Sequence, residues 1–131
     1  YNQHNLSLLV LYNDFAQGDL SKVPFESDLS QEGFDSRLVE GRILKNDMTN
    51  IKAHHIKAQG TDFRGRTLFA VDFQNTDLSK SNFSNTFLSR VDFTGANLEG
   101  VNFENAVIHH ITCPDGTISN SPCSTNTTSS L

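Results

Sequence analysis

Two histidine pairs, His54 with His55 and His109 with His110, and two cysteines, Cys113 and Cys123, are the side chains of this 131-residue chain best suited to chemistry. Neutral imidazole binds zinc at about 2.0–2.1 Å, in sites built from three or four protein ligands. Each histidine pair alone supplies too few, and His4 is isolated. Aspartates recur at regular positions, as at Asp72 and Asp92. A short carboxylate there can hold a cation weakly, or accept hydrogen bonds from turn amides, and the second is the commoner use. There is no Ser–His–Asp combination, phosphate-binding glycine loop or Cys-x-x-Cys pair. The histidines read as exposed turn residues. No catalytic residue, metal ligand or cofactor is expected, and the chain is read as a non-enzyme.

The elements that must carry these residues are set by a repeat of five. Cut into fives from Thr61, the third residue of each block is Phe63, Leu68, Phe73, Leu78, Phe83, Leu88, Phe93, Leu98, Phe103 and Ile108. Two residues earlier stands a small or β-branched residue: Thr61, Val71, Thr76, Ser81, Thr86, Val91, Ala96, Val101 and Ala106, with Arg66 the exception. The residue between is usually Asp or Asn. A period of five matches neither the 3.6 of a helix nor the 2 of a strand. Two inward residues per block describe a short extended step. Gly65, Asn75, Asn85, Gly95, Gly100 and Asn105 at the block ends describe a tight turn after each step.

These blocks resemble the pentapeptide-repeat family, whose consensus is A(D/N)LXX. The resemblance implies an all-β solenoid, a right-handed quadrilateral β-helix with four blocks per coil. Residues twenty apart then stack. Phe63, Phe83 and Phe103 form one column, with Phe73 and Phe93 on the opposite wall. Leu78 and Leu98 form a third column, opposite Leu68 and Leu88. Like stacks on like, which suits a narrow dry interior. On this frame the two histidine pairs lie about 13 Å apart along the rod, too far to share a metal.

Before the regular blocks, residues 5–12 are the most apolar run. Asn5 could cap a short helix there. The expectation is an N-terminal helical cap over residues 1–12, covering the open end of the rod; the alternative is a membrane or partner anchor. Residues 13–115 are read as β-helix. Phe15, Leu20, Phe25, Leu29, Phe34 and Leu38 take third positions after two one-residue slips, against the alternative of an irregular acidic linker. From Ser36 the frame is read as unbroken, with Ile43, Met48, Ala53 and Ala58 inward and Ile51 and Ile56 refilling the volume that alanine leaves. Twenty-one third positions from Phe15 to Cys113 make about five coils, a rod of roughly 24 Å.

The formal net charge is −5. Asp14, Asp19, Glu26, Asp28, Glu32 and Asp35 face only Lys22 in the first 35 residues, whereas residues 36–115 hold nine acids and nine bases. Such a balance gives no general affinity for nucleic acid or anionic membrane. No stretch has the length of a membrane span. Cys113 takes the next third position and Cys123 follows in the tail, residues 116–131. The segment TCPDG with a later Cys is similar to the C-terminal ends of some exported bacterial pentapeptide-repeat proteins. That resemblance implies a Cys113–Cys123 disulfide across the open end and an oxidising compartment, such as periplasm, thylakoid lumen or the extracellular space. The alternative is two buried free thiols in a cytosolic protein. Tyr1 in place of Met agrees with a removed export signal.

Family resemblance implies a binding function: an interaction or scaffold module, with an unidentified protein partner or a second copy of the chain. A DNA mimic that interacts with gyrase is the alternative; the neutral balance of residues 36–115 weighs against it. The surface that singles itself out is the wall of Met48, Leu68, Leu88 and Ile108. There Thr67, Phe69, Phe87 and Val107 flank the inward residues, so aromatic side chains point outward. Arg66, at a position meant for a small inward residue, predicts a bulge beside Phe69. Such a bulge, or the N-terminal segment, is the alternative account of why the two rings stand there.

Overall fold

Each fifth residue from Asn50 to His110 has positive backbone φ, between 52° and 73°. That conformation is natural for Gly and tolerable for Asn, and it turns the chain through a corner every five residues. At many corners the amide that follows closes the turn, as in Thr76 N to Phe73 O at 3.2 Å and Ala96 N to Phe93 O at 2.8 Å. Between corners the chain is extended for too few residues to pair with itself. It pairs with the next coil instead.

The computed structural model describes residues 43–124. Its strands are β1 (Met48–Thr49), β2 (Thr67–Phe69), β3 (Phe87–Ser89), β4 (Val107–His109), β5 (Ile111–Thr112) and β6 (Ile118–Ser119). The first four form a parallel sheet in chain order, and Leu68 pairs with both Met48 and Leu88, twenty residues either way. The remaining walls pair through single residues at the same offset, as in Lys52 with Asp72 and Asp72 with Asp92. The architecture is an all-β solenoid of stacked twenty-residue coils, and no helix occurs among the described residues. The helical cap expected over residues 1–12 and the coils expected before Ile43 lie outside the described residues.

The interior is a file of stacked rings. Phe63 and Phe83 lie 4.3 Å apart and nearly parallel, Phe83 and Phe103 follow at 5.5 Å, and Phe73 stacks on Phe93 at 5.9 Å. Across the interior the two columns meet edge to face, Phe83 to Phe93 at 6.0 Å. That geometry sets the positive ring edge against the negative face. Leu68, Leu88, Leu78 and Leu98 are buried on the other two walls, and Ile51, Ile56, Ala53 and Ala58 are buried together. Polar residues at the small inward position are buried only because each hydroxyl has a carbonyl to donate to: Thr76 Oγ1 to Ala53 O at 2.6 Å, Thr86 Oγ1 to Phe83 O at 2.6 Å.

Two expectations are corrected here. Ile43 is not inward: it is 63% exposed, while Leu44 beside it is 2% exposed. Ile43 pairs with Asp62, one residue short of the usual offset, so the frame slips between Leu44 and Met48 and this corner has four residues instead of five. Nor does the backbone bulge at Arg66: β2 keeps full register with β1 and β3. The short corner one coil earlier explains both. Thr67 N would find a backbone carbonyl below it, as Phe87 N finds Arg66 O; instead it donates to Asp47 Oδ1 at 2.9 Å. The Arg66 guanidinium reaches into the shortened corner and donates to Lys45 O at 3.0 Å.

At the far end, residues 113–117 reverse the chain, and β6 runs antiparallel over β5. Cys113 N donates to Thr117 O at 2.7 Å, and Cys113 and Cys123 are joined by a disulfide.

Candidate functional site

On three walls of the rod the second position of most blocks is Asp or Asn, with Lys52, Lys57 and Thr112 the exceptions, and these Asp and Asn side chains are occupied. Asp72 Oδ1 accepts from Gln74 N at 2.9 Å, Asp77 Oδ1 from Ser79 N at 3.1 Å, Asn82 Oδ1 from Ser84 N at 2.9 Å, and Asp92 Oδ1 from Thr94 N at 2.9 Å. Each such bond pulls the chain into its corner early. On the fourth wall the second positions are Asp47, Thr67, Phe87 and Val107: Asp47 accepts instead from Thr67 N of the next coil, and Phe87 and Val107 have no side-chain acceptor. There the chain stays extended long enough for true strands, which suits β-branched and aromatic residues.

That wall is where side chains of the wrong polarity face outward. Val107 is 52% exposed, Phe69 40% and Phe87 37%, and Thr67 is exposed beside them. Thr67, Phe87 and Val107 stand one above another. Phe69 belongs to the neighbouring column, with Thr49, Ser89 and His109. The two phenylalanines are therefore diagonal neighbours on adjacent coils. His109 extends the patch, its ring 5.7 Å from that of Phe87. Reading His109 as a turn residue missed this; its position forty residues after Phe69 was the available signal.

The other candidate chemistry is engaged locally. His54 Nδ1 and His55 Nδ1 lie 2.8 Å apart and share a hydrogen bond, and Asn75 Nδ2 lies 3.4 Å from His55 Nε2. His110 is at a corner, where its amide donates to Asn120 Oδ1 at 2.6 Å. Asp62 pairs with Arg64 at 2.7 Å. The Arg64 side chain, assisted by its amide, holds the Asp62 carboxyl below the usual aspartate range against a smaller opposing effect of burial. Among the described residues no three His, Cys, Asp or Glu side chains converge as metal ligands, and no helix is long and apolar enough to cross a membrane.

No curated protein matches the chain. Several solved structures resemble it, two of them pentapeptide repeat proteins of cyanobacteria. One is a pentapeptide repeat protein from the cyanobacterium Cyanothece 51142, at 24% identity and a TM-score of 0.49, covering 72% of this chain and 54% of that one. The other is HetL of Nostoc sp. strain PCC 7120, a pentapeptide repeat protein involved in heterocyst differentiation regulation, at 18% identity and a TM-score of 0.31, covering 72% and 48%. This chain thus spans about half the length of each. The family pattern described as pentapeptide repeats matches residues 47–85 and 72–109, in eight copies. With corners, ladders and inward residues all repeating in step with that pattern, residues 47–109 of this chain are a run of pentapeptide repeats.

Proposed function

We propose that the chain is a non-enzymatic protein-interaction module that binds its partner through the β1–β4 wall. The observation that carries this reading is the group Phe69, Phe87 and Val107, exposed together on the β1–β4 wall, where Phe87 and Val107 stand at positions that carry Asp or Asn in most other blocks. Apolar side chains that a folded chain leaves in contiguous exposure mark a contact surface, and aromatic residues are the commonest anchors of such surfaces. The occupant is a protein, either another chain or a second copy of this one. The rod is taken to be right-handed, about five coils long, with residues 1–12 as its N-terminal cap and residues 116–131 as its tail. The Cys113–Cys123 bond supports an exported protein in an oxidising compartment. The gyrase-interacting alternative is less favoured, because the aspartates of the described coils spend their oxygens on corner amides and do not form a free acidic column.

The double substitution Phe69→Ser with Phe87→Ser tests the proposal. Both side chains stand outside the core, so the far-UV circular dichroism and thermal midpoint are expected to stay close to the parent, while self-association in sedimentation and capture of a partner from the native source are lost. Unfolding of the variant would show instead that the two rings belong to the core.

A further inference from the structure

The last coil has a successor on one wall only, where Thr112 pairs with Asp92, so the wall of residues 96–100 has none among the described residues. Lower in the rod, the wall of Leu78 and Leu98 is sealed by three interstrand bonds: Leu78 N to Asn97 O at 3.0 Å, Lys80 N to Glu99 O at 2.8 Å, and Asn97 N to Thr76 O at 3.0 Å. One coil further on, the equivalent groups are Leu98 N, Gly100 N and Ala96 O. None of them has a partner among the described residues. The chain would have supplied the next rung from residues 116–120. Instead Gly116, at φ 88°, turns it back so that β6 pairs with β5. The place of the missing rung is a cavity of about 430 Å³. Ala96, Leu98, Asp115, Ile118 and the bonded pair Cys113 and Cys123 are among the residues that line it.

We propose that this cavity binds an extended peptide segment of another protein, laid parallel to residues 96–100 as one added rung. Three unpaired backbone groups in ladder spacing select a polypeptide over other ligands, because only a second backbone offers C=O, C=O and N–H at that spacing; strand addition to a free edge is a general mode of peptide capture. Side-chain preference follows from the columns below. The residue over Ala96 must be small, as Thr76 is beneath it, and the residue two positions later must be aliphatic, continuing Leu78 and Leu98. Asp115 lines the cavity and is exposed, and Glu99, next to Leu98 in the chain, is exposed as well. Asp115 accepts from the hydroxyl and amide of Thr117, which keeps its carboxyl below the usual range and ionised. A basic residue after the aliphatic one therefore fits best. The site lies apart from the β1–β4 wall and stands or falls independently of it.

The test is a nuclear magnetic resonance titration of the full chain, disulfide intact, with the peptide acetyl-Gly-Ala-Asn-Leu-Lys-Lys-Gly-amide. Saturable shifts are expected at Leu98, Gly100 and Ile118, with slowed hydrogen exchange at the Leu98 and Gly100 amides. The same peptide with Asp in place of Leu, or the variant Ile118→Arg, is expected to bind at least about tenfold more weakly, a loss of about 1.4 kcal/mol. Ile118 is 55% exposed, so that variant should fold. Two results overturn the proposal. One is protection of the Leu98 and Gly100 amides in the free chain that the peptide does not displace, which would mean the edge is already filled by residues 125–131. The other is equal binding of the Leu and Asp peptides.

Discussion

At Asp62 a single carboxylate closes a corner and an ion pair together. Its Oδ1 accepts from Arg64 N at 3.0 Å, and the Arg64 guanidinium bonds both oxygens. Because the folded carboxyl is held below its ordinary value, its contribution to stability is full above the unfolded aspartate range, near pH 4. It is lost as pH falls through the lower folded value. Asn82 and Asn102 make the same corner from the same column, so Asp62→Asn should keep the corner and lose only the charge. The expected cost at pH 7 is under about 1 kcal/mol, since the Arg64 side chain is exposed and solvent screens the pair. The gap between parent and variant in thermal midpoint should close as pH falls below the lowered folded value. A gap that persists there would mean the charge is not the cause. At this scale the sequence was legible wherever a residue type has one use: Asx before a corner, Gly or Asn at positive φ. It was not legible where His55, Ala70, Lys80, Arg90 and His110 hold positive φ, because register imposes that conformation on them against their own preference.

Among elements, the difference that matters lies between the walls that end in Asx corners and the one wall that forms strands. The stacked columns stabilise all four alike. Phe83 sits between Phe63 and Phe103 and touches Phe93 edge-on. Phe83→Ala is expected to cost about 3–5 kcal/mol in urea unfolding. Asn85→Ala, at an exposed corner, is expected to cost about 1 kcal/mol. Equal costs would contradict the inward placement of Phe83. The repeat of residues 61–108 was readable because two inward positions per block agree with each other. The slip before Met48 was not, because Ile43 and Leu44 are adjacent and both apolar. Either could fill the interior, and only the pairing of Ile43 with Asp62 decides between them. The bulge expected at Arg66 failed for a related reason: the room that side chain needs comes from the short corner of the coil beneath, which a repeat count cannot reveal.

For the whole molecule, a solenoid is only as stable as its ends, since each coil is held by its neighbours. The Cys113–Cys123 bond closes a loop of sequence separation 10 over one end. Cys113→Ser with Cys123→Ser is therefore expected to lower unfolding free energy by about 2–3 kcal/mol on the chain-entropy account. Hydrogen exchange should rise first in β5 and β6; a uniform rise along the rod would show that the bond does not protect the end specifically. The central claim concerns the β1–β4 wall, and the most direct measurement is site-directed photocrosslinking in the native source. A benzophenone side chain at Thr67 lies among Phe69, Phe87 and Val107, and one at Lys57 lies on another wall. The account predicts a discrete crosslinked product from position 67, absent from position 57 and lost when Phe69→Ser and Phe87→Ser are added. The same product from both positions, or one that survives the double substitution, would contradict it.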